Sequence, residues 1–421
     1  MEHDTETVLF GHRHDYGGTK PFGLGVSERR QHLYIIGQTG SGKSTLIRNA
    51  ILQDIEAGRG VGVIDPHGDL AEEILDHIPP SRTDDVVYFD PSAPDALSIN
   101  FFKTTGDNWH IVAAGIVSAF KKIWGDSWGP RLEYILYATV AALLQCENTS
   151  LLGVSRMLSD ERYRAWVLRQ VKDPMVRSFW VNEFENYNRA FRQEAVSPVQ
   201  NKVGQLFLAP MLRNVLGQVG SKVNFRFMMD DQRIFVANLS KGRIGETHAS
   251  LLGSLLVTGF ELAALSRSDV PHDERQGFFL YADEFQHCAT DSFASILSEA
   301  RKYGLFLTLA HQYVGQLGEK VRDAVFGNVG SFIAFRVSEA DANILERQYG
   351  GGYTRAHFTG LENFELCARL LNRDPFLGRS LPPLVTSRRR REAIVRRSRE
   401  KYSTRREVVE KKIERWLGNR F

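Results

Sequence analysis

The chain has 421 residues, 43% of them hydrophobic and 24% charged, with a formal net charge of +3. Such a length calls for one large α/β domain with an insertion, or for two domains, and the composition is that of a soluble globular protein. Three widely spaced cysteines, Cys146, Cys288 and Cys367, fit neither a disulfide framework nor a zinc site, and point to a reducing compartment.

Charge is unevenly placed. The segment from Ser387 to the end holds 14 Lys/Arg and 5 Asp/Glu, so its +9 leaves −6 on residues 1–386. The opening MEHDTETVLFGHRHDYGG has no apolar core and is not a signal peptide. The longest uncharged apolar stretch, Thr247 to Phe260, falls short of the ~20 residues of a membrane span and reads as a buried core helix.

In chain order, a first strand LYIIG (33–37) leads into QTGSGKST and an amphipathic helix to about Ala57. A second strand, GVGVIDP (60–66), is followed by the helix LAEEILDHI (70–78), and a third, DDVVYFDP (84–91), comes soon after. Strands separated by helices indicate a parallel sheet covered on both faces. From Phe102 to Asn224 the periodicity is helical throughout, as expected of an all-α insertion. The α/β pattern resumes with RIFVANLS (233–240), a long helix (246–266), FFLYADEF (278–285), a helix (291–303), LFLTLAHQ (305–312) and SFIAFRVS (331–338). ELCARLL (365–371) is placed as a last edge strand. The expected organisation is therefore a RecA-like nucleotide-binding domain in two parts (1–101 and 225–386), the α insertion (102–224) and a basic helical tail (387–421). That tail reads either as a solvated helix packed by Ile394, Val395, Val408, Val409, Ile413 and Trp416, or as an electrostatic contact with nucleic acid or acidic lipid.

Gly37-Gln38-Thr39-Gly40-Ser41-Gly42-Lys43-Ser44, with Thr45 beside it, matches the G-x-x-x-x-G-K-[ST] phosphate loop. Glycines let successive N–H groups turn inward toward phosphate oxygens, and the following helix adds its positive end. Lys43 reaches the β- and γ-phosphates and the Ser44 hydroxyl ligates Mg²⁺. Chance would give such a match in about 1–2% of chains this long, and would still have to explain the strand before it and the helix after.

Asp283 and Glu284 end the apolar run FFLYADEF. Half-burying two adjacent carboxylates is unfavourable unless something opposite compensates. With a phosphate loop in the same chain, Asp283 is expected on the metal and Glu284 on the attacking water. Gln312 ends the next strand, 29 residues after Asp283, as a γ-phosphate sensor. Arg301, in SEARKYG, is the preferred arginine finger acting on a neighbouring subunit's ATP, and Arg336 competes for that role.

FGLGVSERRQHLYIIGQTGSGKST, IDPHGDL, the helical insertion, VANLSKGRIGE, LYADEFQ, ARKYGLFLTLAHQ and SFIAFRVSEADA together resemble the conjugative coupling-protein ATPases of type IV secretion, in the HerA–FtsK superfamily of DNA-pumping motors. The likeness spans about residues 8 to 372. It implies a RecA-like core, a homo-hexameric ring, ATP with Mg²⁺ between subunits, DNA through the pore, the finger at Arg301 and the sensor at Gln312. It also implies relaxase or secretion-system partners. Coupling proteins of this type usually begin with membrane-spanning helices, and this chain begins almost at the ATPase core. The expectation is thus a cytoplasmic motor, with peripheral attachment at the inner membrane as the alternative. Lys241 and Arg243, in SKGR, are pore-loop candidates against a default of surface turn. Three other functions stay open: a soluble HerA/FtsK-like DNA motor outside secretion, a secretion ATPase acting on protein subunits, and an ATP-controlled assembly switch. Glu284 argues against the switch, which needs no water-activating carboxylate.

Overall fold

The computed structural model describes residues 7–15, 18–103, 108–291, 293–350, 352–384 and 388–418. The chain divides into two compact units, one of residues 1–89, 225–240 and 263–398, the other of residues 90–224, 241–262 and 399–421.

The first unit is built on one eleven-stranded sheet. Its strands in chain order are β1 (Thr7–Asp15), β2 (Gly18–Gly25), β3 (Leu33–Ile36), β4 (Gly60–Asp65) and β5 (Val86–Phe89). A short β6 (Asp95–Leu97) belongs to the second unit. The sheet continues with β7 (Ile234–Asn238), β8 (Phe278–Ala282), β9 (Leu305–His311), β10 (Ser331–Ala334), β11 (Glu365–Arg369) and β12 (Phe376–Ser380). The order is β2-β1-β12-β11-β10-β3-β9-β8-β4-β7-β5, and from β10 to β5 every pairing is parallel. Every residue of β3, β4, β5 and β7 to β10 is buried. These runs of Ile, Val, Leu and Phe do not alternate with polar residues because helices cover both faces of a parallel sheet.

Register fixes where the chemistry gathers. Ile36 pairs with His311, Ala282 with Leu309 and Ile64 with Ala282, so β3, β9, β8 and β4 end side by side. Ligands of open parallel sheets lie beyond the carboxyl ends of their strands. Residues Gly37, Gln312, Asp283 and Asp65 stand at that edge.

The structure corrects the reading of ELCARLL as an edge. β11 lies inside the sheet, antiparallel to both β10 and β12, and β1 and β2 extend the sheet further. Three of these strands, β1, β2 and β12, escaped the sequence pattern, the first two for plain reasons. β1 reads TVLFGHRHD, half of it polar, and β2 carries three glycines and a proline. Phe22 of β2 meets Phe376 of β12 edge-on at 4.9 Å, which secures the addition.

A buried ion pair ties the helix after the phosphate loop (Lys43–Glu56) to β8. Arg29 donates to both carboxylate oxygens of Asp54, at 2.7 and 2.8 Å, while Tyr281 donates to Asp54 Oδ2 at 2.6 Å. Arg59 donates to Asp54 as well, at 2.8 Å, and the Arg29 guanidinium lies 3.9 Å from the Phe279 ring centre. Asp54 and Arg29 are 0% and 3% exposed, so only this full set of partners makes their charges tolerable.

The second unit is mainly helical, with helices at Trp109–Trp124, Pro130–Leu144 and Arg189–Leu208 among others. A Cβ at Gly115 would lie 2.5 Å from Thr258 Cγ2, so the glycine lets its helix pack closely on helix Glu246–Leu265. β6 pairs antiparallel with β13 (Ser403–Arg405), which carries the end of the chain into this unit. Helix Arg406–Gly418 then buries Val409 and Ile413, and Trp416 meets Tyr163 edge-on at 5.7 Å. Ile394 is buried and Val395 packs against the first unit's core, whereas Val408 is exposed. Arginines of the tail pair within their own units: Arg388 with Glu56, Arg391 with Glu72 and Asp76, Arg397 with Asp84, and Arg406 with Glu410. Three of the tail's arginines thus answer acids of the body, and Arg406 an acid of the tail itself. Of the predicted tail, Ser387 and residues 419–421 lie outside the described residues.

Lys241 and Arg243, expected in a loop, stand on a short helix, Lys241–Ile244, where Arg243 lies 3.7 Å from Asp90. The segment Glu246–Asp269 is long and apolar enough by length and composition to cross a membrane, but 78% of its apolar window is buried within the protein. The three cysteines are buried and free.

Candidate active site

β3 runs into the loop 37–42, which opens helix Lys43–Glu56. Two glycines there are steric requirements. A Cβ at Gly37 would lie 2.6 Å from Phe335 Cβ, and Gly42 combines φ +117° with Phe364 and Phe335 rings at 3.0 and 3.2 Å from its absent Cβ. The loop is braced from behind. Gly37 N–H donates to His311 O, Gln38 N–H to Arg336 O at 2.8 Å, and Phe364 N–H to Ser41 O at 2.8 Å. The helix start has no side-chain cap, so its first N–H groups are left for a ligand.

In front of the loop lies a cavity of about 400 Å³. Thr39, Gly40, Gly42, Lys43, Ser44 and Thr45 form one wall, and Asp283, Glu284, Gln312, His67 and Phe364 complete it. Gly37, Gln38 and Ser41, also expected to bind nucleotide, do not line it; they shape the loop. Ser41 is fully buried and its hydroxyl donates to Gln38 O at 2.7 Å.

Lys43 folds back on its own loop, donating to Gly37 O and Gln38 O. Burial pushes its ammonium below the usual lysine range, against the pull of Asp283 and Glu284. Asp283 and Glu284 are 7% and 6% exposed. Burial, with Glu284 and Asp65 nearby, raises the Asp283 carboxyl to about 6, although the Glu284 N–H and Lys43 pull the other way. Two nearly buried carboxyl groups, Asp283 and Glu284, thus face the single ammonium of Lys43 across the cavity.

That imbalance, together with the Ser44 hydroxyl and the Asp283 carboxylate, fits a hard divalent cation. Among the described residues no group of three His, Cys, Asp or Glu is arranged as a metal site. A cation held by Ser44 and Asp283 would take its remaining oxygens from water and a phosphate ligand, as Mg²⁺ does.

Glu284 has left-handed backbone, φ +44°, which costs energy for a non-glycine residue and turns it out of line with β8. Its carboxylate is held by two amides. Gln312 Nε2 donates to Oε1 at 3.0 Å and Gln286 Nε2 to Oε2 at 2.6 Å. Gln312 thus lines the cavity as expected, while its amide contacts the expected base directly.

The two arginines are placed differently. Arg301 is exposed on the 3-10 turn Ala300–Tyr303 and does not line this chain's cavity. Arg336 flanks the loop, bracing Gln38 through its carbonyl, with its guanidinium 3.4 Å from Asn363 Oδ1.

Residues 14–232, just over half of the chain, match the family described as the central domain of the helicase HerA. The chain belongs to that family. It is a P-loop ATPase of the HerA–FtsK superfamily, on a RecA-like fold. Among solved structures, this HerA-family chain is similar to the bacterial conjugative coupling protein TrwB in its unbound monoclinic form, at 15% identity, 87% of this chain, 88% of that one and TM-score 0.63. TrwB in complex with ADP and Mg²⁺ matches at 15% identity, 88% and 89% coverage and TM-score 0.64. VirB4 of Thermoanaerobacter pseudethanolicus matches at 13% identity, 90% and 97% coverage and TM-score 0.57. At these identities the likeness is one of fold. No curated protein matches the sequence.

Sequence reasoning passed over three residues of this HerA-family site. Asp65 accepts the His67 N–H at 2.8 Å and the Ala71 N–H at 2.9 Å, holding the turn that brings His67 to the cavity. The run IDPHGDL carried that signal, an acid at a strand end followed by a turn. Phe364 carried none, since a loop aromatic far along the chain declares nothing about where it packs.

Proposed function

We propose that the chain binds Mg²⁺·ATP in the 400 Å³ cavity and hydrolyses it to drive movement of DNA. The observation that carries this is the meeting of the phosphate loop, the acid pair and Gln312 around one cavity at the carboxyl edge of β3, β9 and β8. The loop N–H groups and Lys43 hold the β- and γ-phosphates, which requires Lys43 to leave the carbonyls of Gly37 and Gln38. Ser44 and Asp283 hold Mg²⁺, which when bound neutralises phosphate charge and polarises the γ-phosphoryl group. Glu284 orients a water and takes its proton. Gln312 holds Glu284 until a γ-phosphate oxygen offers its amide a better acceptor, so that sensing the phosphate frees the base.

In this reading the active unit is a homo-hexameric ring, with Arg301 of one subunit completing the site of the next and DNA in the central channel. Its exposed position away from its own chain's cavity supports a role in trans. The neighbour described as a conjugative coupling protein supports a place in conjugative DNA transfer or type IV secretion. Likeness to VirB4 keeps a secretion ATPase with protein cargo as the second reading.

ATP turnover measured with and without single- and double-stranded DNA tests the proposal. Strong stimulation that fades with salt is expected of a motor gripping phosphates. Turnover blind to both forms of DNA would contradict the DNA motor and favour the second reading.

A further inference from the structure

We propose that Phe364 is the stacking platform for the nucleotide base, a role that rests on the ATP reading above. Its backbone is left-handed, φ +70°, a conformation in which a bulky side chain is a true outlier. Both of its backbone groups are committed: the N–H donates to Ser41 O at 2.8 Å, and the C=O accepts from Ser380 N–H at 2.9 Å. Any residue could make those two bonds, and glycine or asparagine would make them with less strain. What only an aromatic supplies is the ring.

That ring lies against the glycine loop, with Cδ1 3.0 Å from where a Gly42 Cβ would sit, and it lines the cavity. It remains half-buried rather than packed away. A flat apolar surface beside a phosphate loop suits the apolar part of a nucleotide. Strain at a ligand-facing aromatic is one way a site is held ready for binding. Stacking on an aromatic face tolerates any base, so ATP and GTP should gain from the ring alike.

The test is calorimetric binding of Mg²⁺·ATP, Mg²⁺·GTP and Mg²⁺·tripolyphosphate to the full chain and to Phe364→Ala and Phe364→Trp. Stacking predicts that F364A weakens ATP and GTP roughly tenfold or more and leaves tripolyphosphate within about twofold. F364W should keep nucleotide affinity, with added tryptophan fluorescence quenched by ATP and not by tripolyphosphate. Equal losses for all three ligands in F364A would overturn the proposal, showing a wedge that merely shapes the loop. Unchanged nucleotide affinity in F364A would overturn it as well. If the unaltered chain binds none of the ligands, the ATP reading falls and this proposal with it, an outcome distinct from the other two.

Discussion

Glu284 is held by two amide donors, Gln286 and Gln312, the latter just past the end of β9. Replacing it with glutamine keeps its size, removes the base and turns one of those contacts into donor against donor. Glu284→Gln should therefore bind ATP within a few-fold of the unaltered chain while losing at least about 10²-fold in kcat. Normal turnover in that variant would remove Glu284 as base. Asp283 allows a prediction with a sign. Its folded-state carboxyl titrates near 6, above the ordinary 3.8, so the proton is held more tightly in the folded chain than in the unfolded one. The resulting stabilisation is fully present below about pH 3.8 and is lost as the pH rises through about 6. In chelator at pH 7.5, Asp283→Asn should melt above the unaltered chain, and the gap should close as the pH is lowered through 6. A constant gap across that range would contradict the burial and charge crowding assigned to this acid. His32 behaves in the opposite sense: burial pushes its imidazole from 6.5 down to about 4, so its contribution is fully present above about pH 6.5 and is lost as the pH falls toward 4. Comparing the two proteins at each pH cancels its contribution.

At the scale of elements, the Asp54 network is what sets helix Lys43–Glu56 against β8, the helix bearing Lys43 and the strand leading to Asp283. Removing the acid leaves Arg29 buried and unpaired. Asp54→Ala should cost about 3–5 kcal/mol in denaturant unfolding, and a loss below 1 kcal/mol would show that the pair is not what holds the helix. Tyr281→Phe deletes one hydrogen bond in the same place and should cost roughly 1 kcal/mol. The elements that could be read from sequence were those whose burial is complete. β3, β4, β8 and β9 announce themselves as unbroken apolar runs, and the phosphate loop does so because its glycines have no substitute. β1, β2 and β12 could not be read this way. They extend the sheet through backbone pairing and a few aromatic contacts, so polar and glycine residues are tolerated in them. β13 was hidden for a related reason: three residues in a charged stretch, paired with a distant short strand. Phe364 and His67 reach the cavity only through the fold of their loops, and no local pattern encodes that.

For the whole molecule, the proposed ring with shared sites would make hydrolysis a property of neighbours. Arg301→Ala should bind ATP normally and lose turnover, and mixing it with Glu284→Gln subunits should restore part of it, because an intact finger then faces an intact base at some interfaces. No recovery in mixed assemblies would argue for a role within one subunit. Three of the tail's arginines, Arg388, Arg391 and Arg397, pair with acids of the body, and part-exposed pairs of this kind contribute little.

The predicted changes in turnover and nucleotide binding depend on a triphosphate and its cation lying between the loop at Gly37–Ser44 and the acids at 283 and 284. The most direct measurement is a structure determined with a non-hydrolysable ATP analogue and Mn²⁺ in place of Mg²⁺, the ion located by its anomalous scattering. The account predicts the ion between Ser44 and Asp283, with Lys43 turned from its own carbonyls onto the γ-phosphate. An analogue bound elsewhere, or bound here with the ion away from both residues, would contradict it.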